Sequence, residues 1–422
     1  NLMLTQTWGG SLNAAYTYNY NNDFRLANMQ FSAGAHDVTT DLGYDNDGLL
    51  TGYGPFSITR GGLAGKTTAV TDGTLSAVYT YDTFGRQIDY SADVNGAIYS
   101  FTVTLDNTGR VVEKTESVAG VDQTLSYGYD DNGQLESVSE DSVVLEQYSY
   151  DDNGNRTASH KGASTFNSAN QVVASEGVSH GYDADGRLIS RGADTFTYHG
   201  DGRVKEATVN GVTVSYQRDA MGRRIARTAA GATTRYLYGN PHNTVQVTES
   251  IDDDDVLSRY YYDERRRLYA IQRGADWFYV GSDWLGSPRI VTDTTGVTVK
   301  LISYDSFGVV LSDSNPAFEL PVGFAGGLYD PVTAMLRFGL RDYDPLTGRF
   351  TATDPLSLGG GSPNLYLYGS NDPINQTDRL GLYGWNDFQD DVADFVVDAV
   401  QMAKKVVGDA NKASGGAFGK AN

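Results

Sequence analysis

The chain has 422 residues, more than one ordinary compact core holds, so the length points to several domains or to one large repetitive architecture. Its 49 glycines and 29 tyrosines, against 4 tryptophans, form a turn-rich and strand-rich profile. A formal charge of −21 repels a phosphate backbone and disfavours nucleic-acid binding, and the absence of cysteine excludes disulfides and thiolate metal sites.

No secretion-type leader is recognisable in Asn1 to Gly10, and no apolar run reaches the roughly 18 residues a membrane span needs. The expectation is a soluble fragment without a transmembrane segment, whose export signal lies elsewhere.

From the first residues to about residue 310 a degenerate unit recurs, of the form Tyr-x-Tyr-Asp-x-x-Gly-Arg-Leu. In chain order its clear copies begin at Tyr44-Asp45, Tyr81-Asp82, Tyr129-Asp130, Tyr150-Asp151 and Tyr182-Asp183. Weaker copies run from Leu105-Asp106, Tyr198, Asp219 and Tyr304-Asp305. Most steps are close to two short strands plus a turn in length.

The chemistry of one unit explains the pattern. Tyr-x-Tyr sets two aromatics on one strand face, the Asp accepts hydrogen bonds from the backbone two residues on, and the Gly takes the positive φ that reverses the chain. Between turns, Tyr99, Phe101, Val103 and Leu105 alternate with Ser100, Thr102 and Thr104, giving one apolar and one wet face. A lone hairpin of this kind is marginal, so the units are expected to add edge to edge into a curling sheet.

After the repeats come Asp283-Trp284-Leu285-Gly286-Ser287-Pro288-Arg289 and Arg337-Phe338-Gly339-Leu340-Arg341-Asp342-Tyr343-Asp344-Pro345. Next follow Leu346-Thr347-Gly348-Arg349-Phe350, Asp354-Pro355, Asn364-Leu365-Tyr366 and Asn371-Asp372-Pro373. With the repeats before them, these segments resemble YD-repeat (Rhs-type) proteins and their Rhs-associated core domain. That family includes polymorphic toxins, C subunits of insecticidal toxin complexes, wall-associated bacterial proteins and, more distantly, animal teneurins.

The resemblance implies an all-β fold: a spiral YD-repeat β-shell over residues 1–310, closed by an Rhs core plug over 311–382, with a tail at 383–422. In relatives the shell encloses a toxic C-terminal polypeptide that the core domain cuts free. Asp342 and Asp354, twelve residues apart, fall on the family's aspartyl autoprotease positions, with Arg341 as a supporting cation. Two close carboxyls tend to share one proton, so one can activate water while the other protonates the leaving nitrogen, without a metal or cofactor. Asp-Pro pairs are also ordinary turn starters, and Asp344 to Gly348 reads as the hairpin loop that sets the two acids on adjacent strands. Their shared face stays open, because a bulge at Gly348 shifts the alternation.

The cleavage motif in relatives is matched by Pro373 followed by Asp378-Arg379-Leu380-Gly381-Leu382, which implies scission between Leu382 and Tyr383. Arg379 stands where the family has proline, which loosens the substrate strand and adds a charge beside the acids. Beyond it, Phe388, Val392, Phe395, Val396, Ala399, Val400, Ala403, Val406 and Val407 recur at helical spacing, with Asp387 as N-cap and Gly408 as terminator.

His36, His160, His180, His199 and His242 have no metal-ligand spacing. Asp45-Asn46-Asp47-Gly48 lacks the final glutamate of a calcium loop, Asp252 to Asp255 reads as a solvated loop, and Gly359 to Ser362 as a connector. Ser287 has no histidine placed for a triad.

The functional expectation is a secreted or surface-exposed bacterial toxin shell that cleaves its own cargo. Its partners would be that cargo, secretion-system or toxin-complex components and an immunity protein. The alternative is a structural or adhesive cell-surface shell, teneurin-like or wall-associated, binding glycans or proteins through exposed aromatics without cleavage.

Overall fold

The computed structural model describes residues 2–382 apart from 11, 63, 64 and 361. The proposed C-terminal helix, with Asp387 and Gly408, and Tyr383 therefore lie outside the described residues.

Among those residues the chain is built of antiparallel strands and short 3-10 turns. Thr5–Trp8 to Val143–Gln147 form a 14-stranded sheet, and Ser149–Tyr150 to Val310–Asp313 an 18-stranded one. In both, spatial order equals chain order, so every strand pairs with its sequence neighbour. Four short strands, Leu328–Tyr329, Leu336–Phe338, Arg341–Asp344 and Arg349–Phe350, form a third sheet.

Each Asp-x-x-Gly unit makes the same turn. At Asp82 the carboxylate accepts the N–H groups of Phe84 (2.9 Å) and Arg86 (2.8 Å), while Gly85, at φ 77°, donates to the Asp82 carbonyl. Arg86 then reaches back to the second carboxylate oxygen at 2.7 Å. The preceding strand shifts register at Tyr81, so the turn carries a bulge. Asp252 belongs to this series: it accepts from the N–H groups of Asp254 and Val256, so the acidic run is a repeat turn and not merely a solvated loop.

The tyrosine before the turn has a second task. Its hydroxyl donates to the backbone of the preceding unit: Tyr44 to Leu26, Tyr129 to Val111, Tyr150 to Leu135 and Tyr198 to Leu188. The arginine of one turn lies over the tyrosine of the next, as Arg110 does over Tyr129 (4.8 Å) and Arg223 over Tyr238 (4.7 Å). Neighbouring hairpins are thus tied by side chains as well as by the ladder.

The apolar faces of the two large sheets pack on each other. Tyr99, Phe101 and Val103 are buried as their alternation predicts. Phe56 from the first sheet meets Tyr261 and Tyr269 from the second at 5.1 and 4.9 Å, and Tyr16 hydrogen-bonds Glu249.

The segment after Asp313 crosses the turn ends of successive hairpins. Asn375 bonds the Tyr129 hydroxyl, Asn371 the Gly154 carbonyl, Arg349 the Asn155 side chain and Tyr366 the Gly186 carbonyl. Beneath them Phe324, Phe338, Tyr343, Phe350 and Tyr368 form a compact aromatic core.

An arginine clasp on the C-terminal segment

The strand Arg341–Asp344 is buried along its length, and alternation sends its charges to opposite faces. The hairpin loop forms as expected: Gly348, at φ 68°, donates to the Asp344 carbonyl and returns the chain to Arg349–Phe350.

Arg341 points toward the C-terminal segment and lies over the Phe350 ring at 3.6 Å. Its Nε donates to the Gly381 carbonyl (2.7 Å) and its Nη1 to the Leu365 carbonyl (2.9 Å). Its Nη2 meets two carboxylates, Asp354 at 2.9 Å and Asp378 at 3.1 Å. All three charged residues are buried. Burial pushes Asp378 above the usual carboxylate range, with the Asp354 charge adding to the rise and Arg341 opposing it. Burial likewise lowers Arg341, against the pull of Asp378 and Asp354.

Asp378 to Leu382 repeats the local geometry of the shell turns. Asp378 Oδ1 accepts the Leu382 N–H (2.8 Å), Gly381 donates to the Asp378 carbonyl, and Gly381 sits at φ 63°. Arg341, from another strand, takes the place of the turn's own arginine. The backbone packs tightly here: Leu340 donates to the Leu380 carbonyl, and a Cβ on Gly381 would come within 2.5 Å of the Phe338 carbonyl oxygen.

Asp342 faces the other way. Its carboxylate takes Arg337 Nη1 (2.8 Å) and Arg224 Nη2 (3.3 Å). Burial would raise its pKa, but Arg337, Arg224 and Arg218 more than offset this and hold it below the ordinary value. The structure therefore does not bring Asp342 and Asp354 together as a proton-sharing pair. Asp354 also lies past the end of Arg349–Phe350, not on an adjacent strand. The acid that shares a cation with Asp354 is Asp378, which the sequence marked only as part of the cleavage motif. The signal was its Asp-x-x-Gly spacing, the same as in the repeats.

Ser287 Oγ accepts the Ala325 N–H, and among the described residues no cluster of three or more His, Asp or Glu could hold a metal.

With this geometry in place, the chain matches the family model described as Teneurin YD-shell over residues 2–374. It is 32% identical over 393 residues to Teneurin-4 of Mus musculus, covering 88% of this chain and 14% of that protein. With Teneurin-m of Drosophila melanogaster identity is 27% over 386 residues, covering 86% and 14%. The chain thus spans 14% of the length of these relatives. The crystal structure of TcdB2-TccC3-Cdc42 superposes with a TM-score of 0.72 at 16% identity, over 88% of this chain and 22% of that one. The sequence resemblance set teneurins at a greater distance than these matches do. The fold is that of the YD-shell, and the chain belongs to the Teneurin YD-shell family.

Proposed function

We propose that this chain is the closing part of a YD-shell that severs its own C-terminal continuation after Leu382 by intramolecular aspartyl chemistry. Residues 1–310 serve as wall, 311–382 as the plug that carries the chemistry, and 383–422 as the start of the enclosed cargo. The single observation that carries the reading is the clasp in which Arg341 holds Asp354, Asp378 and the Gly381 carbonyl at once.

Arg341 and Asp378 fix the two residues before the bond, which supplies the positioning that an intramolecular cut needs. Asp354 acts as the base on a water that adds to the Leu382 carbonyl carbon. Asp378, its proton favoured by burial, protonates the departing nitrogen as the carbon–nitrogen bond breaks. Asp342 is assigned to holding Arg337 and Arg224. The shell acts outside the cell or at its surface, and its first partner is its own cargo.

Intact mass and N-terminal sequencing of the purified chain test this. Two polypeptides, the second beginning at Tyr383, are expected, with Asp354→Asn and Arg341→Met uncut. One unbroken wild-type chain would remove the protease reading.

The second reading, a structural or adhesive surface shell that stays intact, is favoured by the 32% identity to a teneurin and by Arg379 in place of proline. It becomes the better account if the chain stays whole and the clasp serves only to anchor the segment.

A further inference from the structure

Arg379 of the C-terminal segment and the 243–247 loop share a half-open hollow of about 60 Å³, which has room for a few waters or one carboxylate but not for a small molecule. Its charged lining is cationic: Arg266, Arg337 and Arg379, with Asn243 and Gln246 as neutral polar neighbours. Among the described residues no carboxylate lines it. The acids adjoining Arg266 in sequence each have a cation of their own, Asp263 with Arg267 at 2.7 Å and Glu264 with Arg60.

Arg337 gives Nη1 to Asp342 and Nε to the Gly339 carbonyl, so it lends the hollow its field and not a bond. Asp342 does not cancel that field, because Arg224 shares the same carboxylate. The surplus shows at Arg218 behind them, which burial and the Arg337 cation push down to about 9 while Asp342 opposes. Arg266 and Arg379 are half-buried and supply the accessible guanidiniums. A cationic hollow in a chain of net charge −21 is met by long-range repulsion of any free anion, so the occupant it favours is one delivered by a tether.

The chain carries such an occupant. Leu340 donates to the Leu380 carbonyl at 2.9 Å and Gly339 lines the hollow, so the C-terminal segment leaves the plug beside it. From Tyr383 to Ala403 the sequence holds five aspartates, Asp387, Asp390, Asp391, Asp394 and Asp398, and neither lysine nor arginine. Asp387 is five residues past Leu382, a reach of at most about 18 Å. A tether that short gives an effective concentration on the order of millimolar.

We infer that the acidic segment 387–398 docks through its aspartates on the hollow lined by Arg266, Arg337 and Arg379. Arg379, which stands where the family has proline, thereby becomes a docking cation. The contact needs no cleavage, and where the bond after Leu382 is cut it holds the severed piece to the shell.

The test is hydrogen–deuterium exchange by mass spectrometry on the full chain, with intact mass recorded alongside so that cleavage and docking are read separately. At about 0.02 M salt, where charges act over about 20 Å, the amides of 387–398 are expected to exchange at least about tenfold slower than at about 0.5 M. Arg266→Gln combined with Arg379→Gln, in the fraction with the wild-type dichroism spectrum, should remove that protection at low salt. Asparagine at all five aspartates should do the same. This second variant leaves the described shell unaltered, and in it residues 243–247 should exchange faster at low salt than in the wild type. If the chain is cut, its two pieces should elute together at low salt and apart at high salt. Unprotected amides in the wild type at low salt, equal protection at both salts, or protection that survives either variant would overturn the inference.

Discussion

Asp342 and Asp378 are both buried carboxyls near the same strand, and their environments drive them in opposite directions. The guanidiniums of Arg337 and Arg224 keep Asp342 ionised. Replacing it by asparagine leaves those cations uncompensated, and is expected to cost about 3–5 kcal/mol in a denaturant melt at neutral pH. Because its folded pKa is depressed, its contribution is present above the unfolded value and is lost as pH falls through the folded one.

Asp372 behaves in the reverse sense. Burial pushes it up to about 6, against hydrogen bonds from Asn375. Its folded state binds the proton more tightly than the unfolded chain, so between about 4 and 6 its contribution to stability falls as pH rises. Asp372→Asn should remove that slope, leaving the variant the more stable protein at pH 7 by on the order of 2 kcal/mol. A slope identical to wild type in melts across this window would refute the assignment.

At the scale of the hairpin, the turn was legible because its chemistry is local: Asp, Gly and Arg within five residues make every bond the turn needs. The link between hairpins was not, since Tyr198 and the Leu188 carbonyl meet only once the register between units is set. Tyr198→Phe is expected to lower stability by about 1 kcal/mol without changing the strand content seen by circular dichroism. The candidate site was legible to the same degree. The family resemblance pointed to Arg341, Asp354 and the cleavage motif at Asp378, but the facing of Asp342 was settled by Arg224, 118 residues earlier in the chain. A strand of only two residues, Arg349–Phe350, also ends before it can carry Asp354 beside its expected partner.

At the scale of the whole molecule, the two large sheets share their cores, so neither is expected to melt alone. Tyr16 on Glu249 and Phe56 on Tyr261 join strands more than 200 residues apart. Tryptophan fluorescence and far-ultraviolet dichroism should report one coincident transition. A net charge of −21 adds self-repulsion, so that transition should move to higher temperature as salt rises to about 0.5 M.

The central claim is that Arg341 gathers Asp354 and Asp378, rather than Asp342, at the end of the plug. A time course of intact mass on Asp378→Asn and Asp342→Asn, each taken from the fraction with the wild-type dichroism spectrum, tests it most directly. The account predicts that Asp378→Asn remains one polypeptide while folded Asp342→Asn still separates into two. Separation of Asp378→Asn at the wild-type rate, with Asp342→Asn intact, would contradict it.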